Sequence, residues 1–307
     1  MADIVIIGGI NIDIEGYPYK DLVEQDSNPG RIKISYGGVG RNIAENAARI
    51  GEKVAMLSVI GADELGRGAR SHLAGLGVDV SMVREIPGRG SAIYLSILNP
   101  NRDMHLGLCD MEIIQELTAA DIRKAGTVFE SAAAVALDGN LEEEMLRDAT
   151  EILSDKMLFY DPVSANKAHR AKACIGRFHS IKPNLIEAEV LSGMKIETDE
   201  ELRNAARYFL DKGVKNVYIT LNCDGVYFKN KEKEGFIRPP KSIKIESATG
   251  AGDAFSAGVL YGMAHGLEID EIAALGMAAS QIAMESEKAV NEKINIEDIK
   301  RRVTQNV

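Results

Sequence analysis

Short, wholly apolar runs alternate along this chain with longer segments of helical spacing, and that alternation limits the fold more than any other feature. Ile4 to Ile7 is an uninterrupted apolar run ending at Gly8-Gly9, as a strand buried on both faces requires. Ile43, Ala44, Ala47, Ala48 and Ile50 then recur at helical intervals before Gly51. Val54 to Ile60 reads as a second buried strand, and residues 66–76 as a helix stopped at Gly77. This order predicts an α/β fold, a doubly wound and mostly parallel sheet with helices on both faces. The alternation resumes after residue 117. Strands are expected at Ala134–Leu137, Met157–Tyr160, Ser180–Ile181, Asn216–Thr220 and Gly225–Phe228, and helices at 141–153, 185–192, 199–212, 252–265 and 268–286.

Two stretches break the pattern. Residues 11–36 carry Gly16, Pro18, Pro29 and Gly30 between short alternating pieces such as Arg31-Ile32-Lys33-Ile34-Ser35. Residues 90–110 read as a hairpin, with a turn at Asn99-Pro100-Asn101. Both are assigned to a small β lid, leaving residues 1–10, 37–89 and 111–307 for the α/β core.

Composition narrows the function. Acidic residues outnumber basic ones 46 to 36, a net charge of -10, which disfavours a nucleic-acid partner because phosphate neutralisation needs a concentrated basic face. No apolar run approaches the roughly 20 residues of a membrane span. Met1-Ala2-Asp3 lacks a basic leader, and three scattered cysteines form neither a disulfide framework nor a zinc pattern, so a reducing cytoplasm is expected.

Two glycine-rich turns carry most of the chemical information. The first, Gly37-Gly38-Val39-Gly40-Arg41-Asn42, joins a short strand to a helix expected to begin near Asn42. Glycines there permit positive φ or close approach of a ligand, and Asn42 can cap the helix or bind a sugar hydroxyl. The second is Thr249-Gly250-Ala251-Gly252-Asp253, where small residues open a helix whose unpaired amides attract negative charge. Asp253 in that first turn either complements the helix dipole or acts as a general base beside a phosphoryl-binding amide cluster. No Gly-Lys-Ser/Thr follows either turn, and Ile4–Ile7 leads into Asn11-Ile12-Asp13 rather than a dinucleotide fingerprint.

Together these residues resemble the ribokinase-like (PfkB) family of carbohydrate and nucleoside kinases. Gly37-Gly38-x-Gly40-x-Asn42 is similar to its N-terminal signature and Thr249–Phe255 to its C-terminal one. Lys182-Pro183-Asn184-Leu185-Ile186-Glu187 resembles its Asn-x-x-Glu motif, and Thr220 to Gly225 its nucleotide turn. Within the family, Asp26–Ala44 and Asp161–Lys167 look most like the members that phosphorylate pseudouridine.

The resemblance implies transfer of the γ-phosphoryl group of ATP to the 5′-hydroxyl of that nucleoside, with Asp253 as base and the amides of Gly250, Ala251 and Gly252 stabilising the transferring group. Another nucleoside, a free sugar, or a non-catalytic binder are the alternatives. Asn11, Asp13, Gly37, Gly38 and Asn42 are implied at the sugar, and Asn184, Thr220, Gly225, Gly250 and Gly252 at ATP. Glu187 is implied at a hydrated Mg²⁺. A monovalent cation stays open, because Ala248 stands where the family often has an aspartate, and Asn222 stands where its nucleotide turn often has glycine. Ser91, Tyr94 and Asp110 are candidates for reading the base. Tyr94 equally suits strand packing, and Asp110 a strand end. Lys167 suits either solvent or a ligand contact, and Asn140 either the cleft or a cap on helix 141–153. Exposed lid edges predict a homodimer through the lid.

Overall fold

The computed structural model describes residues 2–239 and 245–305. Thirteen strands appear among them: β1 Ile4–Ile7, β2 Asn11–Pro18, β3 Gly30–Gly37, β4 Val54–Gly61, β5 Val83–Ile86, β6 Ala92–Leu98, β7 Met104–Asp110, β8 Ala134–Asp138, β9 Leu158–Asp161, β10 Ser180–Ile181, β11 Asn216–Thr220, β12 Val226–Lys229 and β13 Glu234–Ile237. The helices are α1 Val39–Arg49, α2 Glu64–Gly75, α3 Ala119–Lys124, α4 Gly126–Glu130, α5 Glu143–Ile152, α6 Ala165–Ala168, α7 Leu185–Ser192, α8 Asp199–Lys212, α9 Ala251–Ala264, α10 Ile269–Met284 and α11 Ile296–Gln305.

Nine strands form one sheet in the order β13-β12-β11-β10-β9-β8-β1-β4-β5. From β5 to β11 every neighbouring pair is parallel, and β12 and β13 add antiparallel at one end. β1 is wholly buried, and its side chains divide by parity: Ile4 and Ile6 join one apolar cluster, Val5 and Ile7 the other. Helices α1, α9 and α10 cover the first face, while α5, α7 and α8 cover the second. The chain leaves β1 toward β4 on one side, while β8 lies on the other. Crossovers that diverge in this way leave a crevice beyond the carboxyl ends of the strands, and there an open α/β sheet can hold a ligand.

A second sheet of four strands, β3-β2-β6-β7, springs directly from the end of β1. Its register pairs Ile14 with Ile34 and Leu95, and Leu95 with Leu108. Strand parity then makes its two faces different. Asn11, Asp13, Glu15, Lys33, Ser35, Tyr94 and Ser96 share one face, and Ile14, Ile32, Ile34, Leu95, Ile97, Leu106 and Leu108 share the other.

Several local expectations are corrected. Helix α1 starts at Val39, with Gly38 as its N-cap, so Asn42 lies inside the first turn and is not a cap. Helix α5 is preceded by Glu142 rather than capped by Asn140. Strands β5 and β13 and helices α3, α4, α6 and α11 are additional to the elements named from the sequence. β5 and β13 are four-residue strands at the two edges of the sheet, too short to give a period.

Candidate active site

The crevice is tied together by a residue that sequence reasoning passed over. Asp138 ends β8, fully enclosed. Its Oδ2 accepts from the amides of Gly9 (2.9 Å) and Gly40 (2.8 Å), and its Oδ1 from the amide of Asn140 (2.9 Å). Burial pushes its pKa up, and these donors work against that shift. One carboxylate thus joins the exit of β1, the start of α1 and the loop after β8. Only the apolar run before it, a strand ending in an acid, could have signalled the role. Gly38 makes the adjoining turn possible: φ is +99°, and a β-carbon there would collide with the carbonyl of Gly9.

Above this knot lies a cavity of about 1090 Å³ between the polar lid face and the strand ends. Asn11, Asp13, Gly38, Asn42, Tyr94, Asn140, Lys167 and Asp253 line it, and so do Arg41 and Glu45, which the sequence reading left out. Asn11 Nδ2 donates to Asp13 Oδ1 at 2.7 Å. Gly37 forms the floor under that carboxyl, since a β-carbon there would overlap it. Burial raises the Asp13 pKa, against the Asn11 donation and the charge of Arg41.

Asp253 stands in the first turn of α9, opposite α1. Asn42 Nδ2 donates to its Oδ2 at 2.7 Å. Burial and the nearby Asp161 carboxylate push its pKa up to about 7, against Asn42, Lys182 and Arg41. A carboxyl tuned to neutrality at the wall of an open cavity is suited to accept a proton from a hydroxyl. The turn that delivers it is fixed by Gly250, at φ +80°, where a β-carbon would strike the carbonyl of Ala289. Not all three expected amides are free. The Ala251 amide turns back to the Ala248 carbonyl at 3.3 Å, while those of Gly250 and Gly252 take no partner among the described residues.

Behind this turn runs a buried line of charge. Lys182 Nζ lies 3.0 Å from Asp161 Oδ2, which also accepts from Ser256 Oγ at 2.7 Å. Nζ sits 3.2 Å from where a β-carbon of Gly252 would be, so an ammonium underlies the open end of α9. Burial works against its charge, but Asp161 and Glu187 outweigh it and raise the pKa. Asn184 and Glu187 form a reciprocal capping box at α7: the Asn184 amide donates to Glu187 Oε2 (2.8 Å), and the Glu187 amide to Asn184 Oδ1 (2.9 Å). Burial raises the Glu187 pKa, with Lys182 opposing it.

Asn184 bridges Thr220 across neighbouring strands, and the turn to Gly225 follows. In that turn Asn222 holds φ +54°, so asparagine serves the left-handed position that glycine would otherwise take. Asn184, Thr220, Asn222 and Gly225 are not among the residues that line the cavity.

The base-reading candidates divide. Tyr94 lines the cavity, with its hydroxyl on Met104 Sδ at 3.3 Å. Ser91 is displaced from that role: its hydroxyl donates to Asp63 (2.8 Å) and accepts from the Gly61 amide (3.0 Å), and it is not among the cavity residues. Asp110 is exposed at the end of β7, outside the lining, and its carboxylate accepts from the Glu112 amide at 3.4 Å. Lys167 is no free surface lysine: Nζ donates to Asn140 Oδ1 at 2.6 Å.

The crevice at the strand ends, the amide turn and the neutral-range carboxylate define a phosphotransferase that acts on an alcohol. The pfkB family of carbohydrate kinases matches residues 1–295, and the chain belongs to that family. It is 33% identical over 296 residues to the pseudouridine kinase of Escherichia coli (strain K12), covering 96% of this chain and 95% of that one. It is 27% identical over 300 residues to the guanosine-inosine kinase of Exiguobacterium acetylicum, covering 96% and 99%. In fold it is similar to the Arabidopsis thaliana ribokinase complexed with ribose and ATP, at TM-score 0.83, 19% identity and 98% coverage of both chains. No helix among the described residues is long and apolar enough to cross a membrane.

Proposed function

We propose that this kinase transfers the γ-phosphoryl group of ATP to the 5′-hydroxyl of pseudouridine. Asp253 carries the reading: a carboxyl in the neutral range, at the cavity wall and beside unpartnered amides of a helix N-terminus. Asp253 takes the hydroxyl proton as attack begins. The amides of Gly250 and Gly252, with the Lys182 ammonium beneath them, hold the charge of the transferring group. Asn11, Asp13 and Asn42 grip the ribose, and the polar lid face, with Tyr94, meets the base.

The nucleotide lies across Asn184, Thr220 and Gly225. Glu187 suits a hydrated Mg²⁺: its Oε2 is spent on the capping box, and its Oε1 takes no hydrogen bond among the described residues. No cluster of three or more acidic, His or Cys ligands exists among those residues, which fits a hard cation that keeps its waters. When bound, that ion neutralises phosphate charge. With Ala248 where the family often has an aspartate, no monovalent-cation requirement is assigned.

The identity to pseudouridine kinase favours the C-nucleoside, and the guanosine-inosine relative marks the alternative of another nucleoside or a sugar. A panel of pseudouridine, uridine, inosine, guanosine and ribose with Mg-ATP separates them. Pseudouridine is expected to give the highest kcat/KM. Fast turnover of ribose or inosine with none of pseudouridine reassigns the substrate, and no turnover with any acceptor favours a binder. A homodimer through the lid belongs to the same proposal, because Ile32, Ile34, Leu106 and Leu108 on the lid's apolar face stand exposed.

A further inference from the structure

Arg41 is almost fully enclosed, 3% exposed, yet it lines the acceptor cavity. Its Nε donates to Asn42 Oδ1 at 3.1 Å, and Nη2 donates to the same oxygen. Its Nη1 meets Glu45 Oε2 at 2.5 Å. Glu45 is held in turn by Arg49 at 2.7 Å and His72 at 3.2 Å. A guanidinium has five N–H donors and no acceptor. The atom of the Asn42 amide that faces it must therefore be the oxygen. The nitrogen is forced to the other side, where it donates to Asp253 Oδ2 at 2.7 Å. Without Arg41 the Asn42 oxygen loses both donors that anchor it, and the amide is no longer held in place against the carboxylate.

We infer that Arg41 is a positioning residue: anchored by Glu45, it fixes the Asn42 amide so that the catalytic carboxylate always meets a donor. A donor at that place favours the ionised, proton-accepting form of Asp253. The other charged groups facing Asp253 are Lys182 after β10 and Asp161 at the end of β9. Glu287, Lys288 and Glu292 line the same cavity from the loop after α10. None of these contacts the Asn42 amide among the described residues. Removal of Arg41 thus takes away two influences that hold the carboxyl down, its own charge and the orientation of Asn42, and leaves Asp161 to push it up.

The inference rests on the proposed kinase reading, and the test separates the two. The kcat/KM of the wild type, Arg41→Ala, Asn42→Ala and the double variant is measured against pH with pseudouridine and Mg-ATP. In the wild type the acid limb is expected near neutrality. In Arg41→Ala it moves up by about one pH unit or more, and kcat/KM at pH 7 falls about fivefold or more. In the Asn42→Ala background the same Arg41 change moves the limb by clearly less. Arg41→Lys keeps a charge against Glu45 but cannot give two donors to one oxygen, and it should show part of the shift; it also serves if the alanine variant does not fold. A purely structural Arg41 would lower the amount of active enzyme without moving the limb. An unmoved limb in both Arg41 variants overturns the inference while the kinase stands. A wild type inactive on every acceptor overturns the kinase reading itself.

Discussion

At the scale of single residues, the proposed base Asp253 also makes stability depend on pH. Its pKa lies about 7, above the ordinary 3.8. Between those values the folded chain binds a proton that the unfolded chain has released. The folded state therefore loses stability as pH rises from about 4 through 7. Asp253→Asn replaces the group with a neutral one of the same shape. That variant is expected to lose nearly all phosphoryl transfer, about 10²-fold or more. Its melting temperature should exceed the wild type's at pH 8, and the difference should shrink toward pH 5. A wild type and variant that differ equally at both pH values would contradict the assigned titration. Lys182 makes the opposite case. Lys182→Met leaves Asp161 buried with only Ser256 and the Val163 amide as donors, and it should cost roughly 3–5 kcal/mol in urea denaturation. Replacing both partners with apolar residues should recover much of that loss.

At the scale of elements, the turn before α9 shows how backbone sets chemistry. Gly250→Ala puts a methyl group where the Ala289 carbonyl stands, at a φ that L side chains avoid. The turn must then shift, and the open amides shift with it. We expect at least about 10²-fold loss in kcat, with the circular-dichroism spectrum kept. A variant with wild-type kcat would show that the amides are not aimed at the reacting group.

This turn was legible in the sequence, as were most strands, because small residues and apolar runs of these lengths have few other uses. Helices α7 and α8 matched to the residue, since both carry capping boxes and end at glycine. What escaped was non-local. Asp138 collects amides from β1 and α1, more than 90 positions away, and no spacing marks that. Arg41 looked like one letter of a glycine turn until the fold set it against Asn42 and Glu45. Ser91 appeared poised for a base because nothing local shows that Asp63 claims its hydroxyl. Asn42 failed as a cap because Gly38, with its positive φ, starts the helix one turn earlier.

At the scale of the whole molecule, the lid poses a problem that one chain leaves unsolved. Its inner face is polar and roofs the cavity. Its outer face leaves Ile32 at 70%, Ile34 at 56%, Leu106 at 52% and Leu108 at 59% exposed. These residues sit in register with Ile14, Leu95 and Ile97, so the patch runs across all four strands rather than being scattered. A contiguous apolar sheet face of that kind calls for a partner, and two such faces can pack on each other as in a β-sandwich. A twofold axis makes one patch serve both partners. Sedimentation equilibrium at micromolar concentration is therefore expected to give about twice the 33.3 kDa chain mass. Ile34→Glu with Leu108→Glu should give the monomer mass and keep the core folded. Because the same strands carry Asp13 and Tyr94 on their inner side, loosening the lid should raise KM for the acceptor more than it lowers kcat. A wild-type chain that sediments as a monomer would leave the outer face without the proposed partner, and an unchanged acceptor KM in the monomeric variant would separate the lid's grip from its packing.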